Sequence, residues 1–176
     1  NRVINEISEV VSIERGDISV LRECTLLRDV VAEVVLENQY RLQKTRQEVK
    51  LDIEKDLCVL LEKKLLLGVF RELLENAIIY SPEASVITVR AKRKGDVAYV
   101  EVEDHGVGIT PEDQVHVFEK FVRGKNAHIY DPNGNGIGLT IVKGIVERAG
   151  GRVWLRSREM QGTTVTLVFP LGTPKE

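Results

Sequence analysis

The segment from about Lys63 to Tyr80 gives the clearest indication of how this chain folds. Its apolar side chains recur at the three- and four-residue spacing of an α-helix. They are Leu65, Leu66, Val69, Phe70, Leu73, Leu74 and Ala77. The helix is predicted to stop at Ser81-Pro82, because proline disfavours helical backbone in the residue before it. A helix with this much apolar surface has to be buried against other elements.

The rest of the chain mixes helices and strands without strict alternation. Helices are predicted over 25–47, 110–118 and 137–149, and strands over 18–20, 49–53, 59–61, 86–92, 97–103, 153–157 and 164–169. Thr25 and Thr110 are the expected caps of the first two helices. Residues 119–136, called the lid below, have no clear period, and loops of this length are often functional. The mixture predicts an α+β fold with helices packed on one face of a mixed sheet.

Length and charge exclude several classes of protein. The 176 residues suit one domain, and the net charge of −2 gives no broad basic field, so nucleic acid is not expected as a main partner. No apolar run approaches the ~18 residues that cross a bilayer, so no membrane contact is expected from this segment. The chain lacks an initiating methionine and starts within a helical pattern, so we expect it to be cut from a longer protein.

The two cysteines, Cys24 and Cys58, are far apart in the sequence, with no flanking histidine and no Cys-x-x-Cys pattern. A metal site or a disulfide framework is therefore not expected. We expect two reduced thiols in the core of a cytosolic domain.

Two polar residues of the 63–80 helix, Glu72 and Asn76, lie four positions apart and therefore on one face. A carboxylate and an amide oxygen suit a divalent cation that keeps several of its waters. A solvated polar face would show the same pair of residues. This spacing alone leaves both interpretations open.

A second candidate is the segment Asp104-His105-Gly106-Val107-Gly108-Ile109, in which an acid follows an apolar strand. Glycine lets the backbone adopt positive φ and lets a ligand approach closely. A carboxylate at this point can accept a hydrogen bond from an exocyclic amine such as that of adenine. An ordinary turn with a capping aspartate remains the alternative, because short glycine motifs are weak signals.

The third candidate, Gly134-Asn135-Gly136-Ile137-Gly138-Leu139, opens a helix. Free N–H groups at a helix N-terminus favour phosphate. The segment follows a long loop rather than a strand, which excludes a dinucleotide-binding Rossmann motif. A P-loop is also excluded, because the sequence has no Gly-Lys-Ser/Thr.

Taken in order, these segments resemble the GHKL family of ATPases and kinases and, within it, the sensor histidine kinases. Residues 72–82 resemble the N box, 104–109 the G1 box, 118–124 the F box, 134–139 the G2 box and 162–164 the last glycine box. The F-box match is typical of histidine kinases rather than of the gyrase branch. The resemblance runs from about residue 18 to 170 and implies a two-layer α/β sandwich of the Bergerat type with a flexible ATP lid.

The resemblance implies that ATP is bound together with Mg²⁺, which Asn76 would coordinate. Glu72 takes the position of the acidic residue that polarises a water or acceptor in the family's ATPases. Asp104 is expected to bind the adenine amino group, and Lys120 and Arg123 to lie at the lid near the transferring phosphate charge. Further nucleotide contacts are implied for Tyr80, Gly106, Gly108, Ile109, Gly124, Gly134, Gly136, Ile137, Gly138, Leu139 and Thr164.

By the same resemblance, residues 1–16 correspond to the end of the dimerisation and phosphoacceptor helix with its linker, and residues 17–176 to the ATP-binding catalytic domain. The implied reaction transfers the γ-phosphoryl group of ATP to a histidine upstream of this chain, because none of its three histidines has the acceptor motif. The implied partners are the dimerisation/phosphoacceptor domain of the same protein and the receiver domain of a response regulator. The expected location is cytoplasmic, with a membrane anchor elsewhere in the parent protein left open.

Ile79 departs from the family pattern, because many members carry lysine or arginine there and isoleucine cannot neutralise phosphate. Two alternatives to a histidine kinase stay open: a GHKL-type ATPase and a degenerate nucleotide-binding docking module. The F box and residues 1–16 argue against the ATPase. Retention of Glu72, Asn76 and Asp104 argues against the docking module.

Overall fold

The computed structural model describes residues 23–125 and 127–172. The strand predicted over 18–20 and the helical segment 1–16 lie outside these ranges. The elements in chain order are β1 (Cys24–Leu26), α1 (Leu27–Glu37), α2 (Gln39–Thr45), β2 (Glu48–Ile53), β3 (Cys58–Leu60), α3 (Lys63–Tyr80), β4 (Val86–Lys94), β5 (Val97–Glu103), α4 (Pro111–Gln114), α5 (Ala127–Tyr130), α6 (Gly138–Arg148), β6 (Arg152–Arg158) and β7 (Gly162–Pro170).

Five of the strands form one mixed sheet in the order β2-β4-β5-β7-β6. β2 and β4 are parallel, and the other neighbouring strands are antiparallel. Side chains alternate between the two faces of each strand. In β5, for example, Ala98, Val100 and Val102 are buried while the residues between them are partly exposed. One face of the sheet is therefore apolar and has to be covered.

Helices α1, α3 and α6 cover this apolar face, with α3 in contact with both of the others. The side chains of Leu66, Phe70 and Leu74 in α3 are completely buried. Apolar residues of α1 and α6, such as Val31 and Val142, complete the same core. The α+β fold with helices on one face of a mixed sheet is thereby confirmed. No helix within the described ranges combines the length and apolarity that a bilayer crossing needs.

The helix predicted over 25–47 is divided in two, and its predicted cap is wrong. Thr25 belongs to β1, where its hydroxyl donates to the carbonyl of Leu61 at 2.6 Å. The division falls at Asn38, whose side chain donates to the Val34 carbonyl at 2.9 Å. An asparagine amide competes in this way with the helical hydrogen bonds of the backbone. The periodicity predicted the apolar face of α1 correctly, but it contains no information about this competing hydrogen bond.

The short helix predicted over 110–118 begins as expected but ends early. The hydroxyl of Thr110 accepts a hydrogen bond from the Asp113 N–H at 3.1 Å, as a helix cap does. The regular helix stops at Gln114 and continues as turns. The side chain of Gln114 donates to the Ile109 carbonyl at 2.8 Å and so fixes this turn to the segment before it.

The prediction of two reduced thiols is wrong, because a disulfide joins Cys24 and Cys58. β1 and β3 pair antiparallel in a small separate sheet, which brings the two Cα atoms to 5.5 Å. This lies within the usual range for a disulfide. The cysteines are 34 residues apart, so their proximity depends on strand pairing that the spacing of the cysteines does not reveal.

The C-terminal end of α3 is held by the buried side chain of Gln47. Its amide nitrogen lies 3.1 Å from the carbonyl oxygen of Ile78 and 3.2 Å from those of Ser81 and Pro82. The last carbonyls of a helix have no partner within the helix and need one from elsewhere. Gln47 supplies it from the segment between α2 and β2, and so fixes where α3 ends.

Replacement of Gln47 by alanine should therefore destabilise the domain. We expect Gln47→Ala to lower the free energy of unfolding by about 1–3 kcal/mol, because buried carbonyls lose their donor. Urea unfolding followed by circular dichroism measures this, with the exposed Gln43→Ala as the matched control. An effect no larger than that of the control would contradict the capping role.

Candidate functional site

A cavity of about 490 Å³ lies between α3, the segment 104–110, the lid and the start of α6. This volume suits a ligand of the size of a nucleotide or drug. Of the sixteen residues predicted for the site, twelve line the cavity. They are Glu72, Asn76, Tyr80, Asp104, Gly108, Ile109, Arg123, Gly124, Gly134, Gly136, Gly138 and Leu139.

Asp104 forms the polar part of the cavity wall, directly after β5 ends. Its Oδ1 accepts hydrogen bonds from the backbone N–H groups of Gly106 at 2.8 Å and Thr163 at 3.2 Å. No hydrogen bond to its Oδ2 is found within residues 23–125 and 127–172. The carboxylate is thus fixed through one oxygen and offers the other as an acceptor to a ligand.

Burial raises the pKa of the Asp104 carboxyl above its ordinary value of 3.8. The two backbone N–H groups act in the opposite direction, because they stabilise the charged form. Burial is the larger effect. The folded protein therefore holds this carboxylate at a cost in stability, which is typical of a group retained for binding rather than for folding.

The glycine loop, residues 104–109, is fastened to the hairpin of β6 and β7. Gly108 has a φ of +69°, and a Cβ atom there would overlap the carbonyl of Arg158, so only glycine fits. The N–H of Ile109 donates to Ser157 Oγ at 2.8 Å, and that oxygen lies 2.8 Å from Thr163 Oγ1. These contacts give the wall around Asp104 a defined shape.

Helix α3 contributes a second wall through Glu72, Asn76 and Tyr80, which share one face as their spacing predicts. Glu72 reaches the start of α6, where a Cβ atom on Gly138 would overlap its carboxylate oxygen. The N-terminus of a helix attracts negative charge. The absence of a side chain at Gly138 makes room for the Glu72 carboxylate beside this end of α6.

The lid closes the cavity through contacts with the end of α3. Tyr130 and Tyr80 meet edge to face, with ring centroids 6.1 Å apart. Arg123 donates to the backbone carbonyl of Asp131 and to the hydroxyl of Tyr80. Burial raises the pKa of the Tyr80 hydroxyl above 10.0, so it remains a neutral hydrogen-bonding group. The lid thus has specific contacts with α3 in addition to its covalent ends.

Four predicted site residues do not line the cavity, and for each the reason is local. Thr164 faces the opposite side of the sheet, since it pairs with Glu103 and Arg156 there. Ile137 is 1% exposed and belongs to the core. Gly106 is buried within the glycine loop, where its N–H donates to Asp104. Lys120 is exposed and is not among the residues that line the cavity.

Thr163 is the residue that the sequence analysis missed in favour of Thr164. It lines the cavity, and its N–H contacts Asp104. The sequence contained the information needed, because side chains two residues apart in a strand lie on the same face. Thr163 therefore lies on the inner face of β7 with the apolar Val165 and Leu167. The cavity is also lined by residues that the sequence analysis did not predict, among them Glu75, Lys125, Tyr130 and Asp131.

The oxygen atoms that line the cavity fit a cation that is held partly by the protein and partly by a bound anion. No group of three or more histidine, cysteine or acidic side chains that could enclose a metal occurs in the described part of the chain. Asn76 and Glu72 nevertheless offer oxygen atoms on one wall. Mg²⁺ prefers such ligands in small number, together with waters and phosphate oxygens.

Comparison with known proteins agrees with this geometry. The profile described as histidine kinase-, DNA gyrase B-, and HSP90-like ATPase matches residues 62–173. The chain is 36% identical over 141 residues to the sensor-like histidine kinase SenX3 of Mycobacterium tuberculosis, covering 80% of this chain and 34% of SenX3. It is 33% identical over 125 residues to the sensor histidine kinase WalK of Bacillus subtilis, covering 70% of this chain and 20% of WalK.

Among solved structures, the mycobacterial sensor histidine kinase MprB is similar with a TM-score of 0.76 and 25% identity. The match covers 85% of this chain and 98% of the MprB chain. The chain therefore corresponds to nearly all of that solved domain, but to about a third of the length of SenX3.

The buried charge of Asp104 should be detectable in the pH dependence of stability. A raised pKa in the folded state means that the folded protein binds the proton more tightly, so this group makes stability fall as pH rises from about 3.8 through the raised value. Asp104→Asn keeps the acceptor for Gly106 and Thr163 but removes the charge. We expect the variant to be more stable than the wild type at pH 7 and this advantage to disappear near pH 3.8.

Guanidinium unfolding of both proteins between pH 3.5 and pH 7 tests this expectation. Asp113→Asn, which removes another carboxylate of the same cavity, is the matched control. A stability difference that stays constant across the pH range would contradict the effect of burial on Asp104.

Proposed function

Because this chain is an ATP-binding catalytic domain of the histidine kinase-, DNA gyrase B-, and HSP90-like ATPase family, we propose that it transfers the γ-phosphoryl group of ATP to a histidine outside this chain. The transfer breaks the bond between the γ-phosphorus and its bridging oxygen and forms a bond from phosphorus to an imidazole nitrogen. ADP is the leaving group. The protein's part is to position ATP and to stabilise the charge that develops.

The single observation that carries this proposal is the free acceptor atom of Asp104. Adenine presents an exocyclic amine, which can donate to Oδ2 while Oδ1 stays bound to the backbone. Guanine and hypoxanthine present a carbonyl at the same ring position, and a carboxylate would repel it. The apolar side chains of Val102 and Val165 also line the cavity and offer a surface for the base.

The opposite end of the cavity suits the phosphates. The start of α6 presents the backbone N–H groups of its first turn, which begins at Gly138, and Asn76 offers an amide oxygen from α3. Mg²⁺ bound with ATP would neutralise phosphate charge, and Asn76 with Glu72 would be its protein ligands. Glu72 would also orient the attacking group, because its carboxylate lies on the same wall.

The acceptor is proposed to be a histidine of the dimerisation/phosphoacceptor domain of the same protein. All three histidines of this chain lie within the described ranges, and none of them lines the cavity. From that histidine, the phosphoryl group would pass to the receiver domain of a response regulator. The use of ATP supports a cytoplasmic location for this domain, whether or not the whole protein has a membrane anchor.

Hydrolysis of ATP is the second candidate, favoured by the position of Glu72 on the cavity wall. Full-length protein incubated with γ-labelled ATP separates the two activities. Label that becomes acid-labile and histidine-bound supports the kinase. Rapid release of phosphate with no labelled protein would favour the ATPase.

Base selectivity should depend on Asp104. We expect Asp104→Asn to weaken ATP binding about tenfold, because an amide N–H₂ replaces the acceptor and faces another donor. Inosine triphosphate, which carries a carbonyl at that position, should lose less affinity or gain some. Calorimetric titration with both nucleotides measures the ratio. Unchanged preference for ATP over inosine triphosphate would refute the role of Asp104.

Metal dependence should depend on Asn76. We expect Asn76→Ala to weaken ATP binding about tenfold in Mg²⁺, with a smaller loss in EDTA, because the amide oxygen acts through the cation. Asn133→Ala, also in the cavity wall but on the lid, serves as the matched control. Equal losses with and without Mg²⁺ would assign Asn76 a structural role instead.

A further inference from the structure

The cavity is acidic, although its proposed ligand is an anion. Six carboxylates and two cationic side chains line it. The carboxylates are those of Glu72, Glu75, Asp104, Asp113, Asp131 and Glu159, and the cations are Arg123 and Lys125. A triphosphate that enters this cavity is repelled unless positive charge is brought to it. Bound Mg²⁺ supplies part of that charge, and the protein has to supply the rest.

Helix α3 supplies none of it. Ile79 lines the cavity and is half-buried, one turn beyond Asn76. Glu75, also in the wall, forms an ion pair with Arg41 at 3.5 Å, so Arg41 is directed to that carboxylate. The wall that carries Asn76 therefore presents apolar and acidic groups to a phosphate.

Arg123 is committed to the structure of the lid. It donates to the Asp131 carbonyl, and it is hydrogen-bonded to the hydroxyl of Tyr80. The first contact joins two parts of the lid, and the second holds the lid against α3. A phosphate that recruited Arg123 would have to compete with them.

Lys125 is the remaining cation of the cavity wall. Its backbone N–H donates to Asp113 Oδ2 at 3.2 Å, which fixes this part of the lid to the end of α4. Its side chain forms no ion pair within the described ranges. The ammonium group is therefore available to a ligand, while the backbone that carries it is anchored.

We propose that Lys125 is the phosphate-binding cation of this domain, carried on the lid at a site where α3 presents Ile79. This rests on the proposed function and identifies the residue that neutralises the triphosphate. Because the charge arrives with the lid, tight binding of the phosphates requires the lid to be in place. Binding of the base at Asp104 has no such requirement.

The test is calorimetric titration of the chain with ATP, ADP and adenosine in Mg²⁺. Lys125→Gln is expected to weaken ATP binding about tenfold, to weaken ADP binding less and to leave adenosine binding unchanged. Lys64→Gln, which removes the same charge from an exposed position outside the cavity, is the matched control. Equal ATP losses in both variants would reflect overall charge and would overturn the proposal.

A second variant tests whether the missing charge is the cause. Ile79→Lys introduced together with Lys125→Gln should recover most of the ATP affinity, because it places an ammonium group on the facing wall. A double variant that binds adenosine normally but ATP as weakly as Lys125→Gln alone would overturn the proposal. So would a loss on Lys120→Gln as large as that on Lys125→Gln.

Adenosine separates this inference from the proposed function. If the wild-type chain binds neither adenosine nor ATP, the proposed function itself fails. If both bind and Lys125→Gln leaves ATP affinity unchanged, only the assignment of Lys125 fails. If adenosine binding falls as much as ATP binding, Lys125 supports the lid rather than the phosphates, and the proposal is overturned.

Discussion

Helix α3 is buried along one side and faces the nucleotide cavity along the other, and both the core and the site depend on this division. Its apolar side packs on the sheet and on the two neighbouring helices. Its other side carries Glu72, Asn76 and Tyr80 into the cavity. Gln47 fixes where the helix ends, and the Val107 N–H bonds to the Tyr80 carbonyl at 3.1 Å. Any movement of α3 would therefore displace the core and both polar walls together.

One part of the site is held rigidly, and the cavity as a whole has too little positive charge for an anionic ligand. Asp104 and the glycine loop are held by backbone hydrogen bonds from two different segments, so the base would meet a preformed surface. The same cavity carries more negative than positive charge, and burial already makes one carboxylate costly. In the proposed function, recognition of the base would thus be built into the folded domain. Neutralisation of the phosphates would instead depend on groups that arrive with the ligand or that the lid carries.

The sequence predicted best what local periodicity controls. The apolar spacing of α3 gave its bounds, 63–80, as the structure has them, and the strands that carry the site were found to within two residues at each end. Residue type and spacing made Glu72, Asn76 and Asp104 candidates, and the family resemblance assigned them to the site. The structure brings them to one cavity. Here the local pattern and the tertiary structure require the same arrangement.

Errors arose where long-range pairing or competition between local interactions decided the outcome. Cys24 and Cys58 meet because β1 pairs with β3, which their spacing does not indicate. Thr164 was chosen over Thr163 for a different reason: it was taken from the glycine motif, and the alternation of β7, which places Thr163 on the inner face with Val165, was not used. The structure of the lid could not be predicted, since its contacts to α3 join residues such as Tyr80 and Tyr130 that are distant in the chain.

The order of strands in the sheet also has a consequence for how the chain reaches this structure. β7 follows β6 in the chain, but it lies between β5 and β6. During synthesis, β6 therefore leaves the ribosome with no neighbour in the sheet, and β5 keeps an unpaired edge until β7 emerges. The helical layer and the strands β2, β4 and β5 can assemble first, whereas Thr163 reaches Asp104 only in the final step. The proposed binding surface for the base thus cannot form on a nascent chain that has not yet released β7, so ligand binding would report on completed folding.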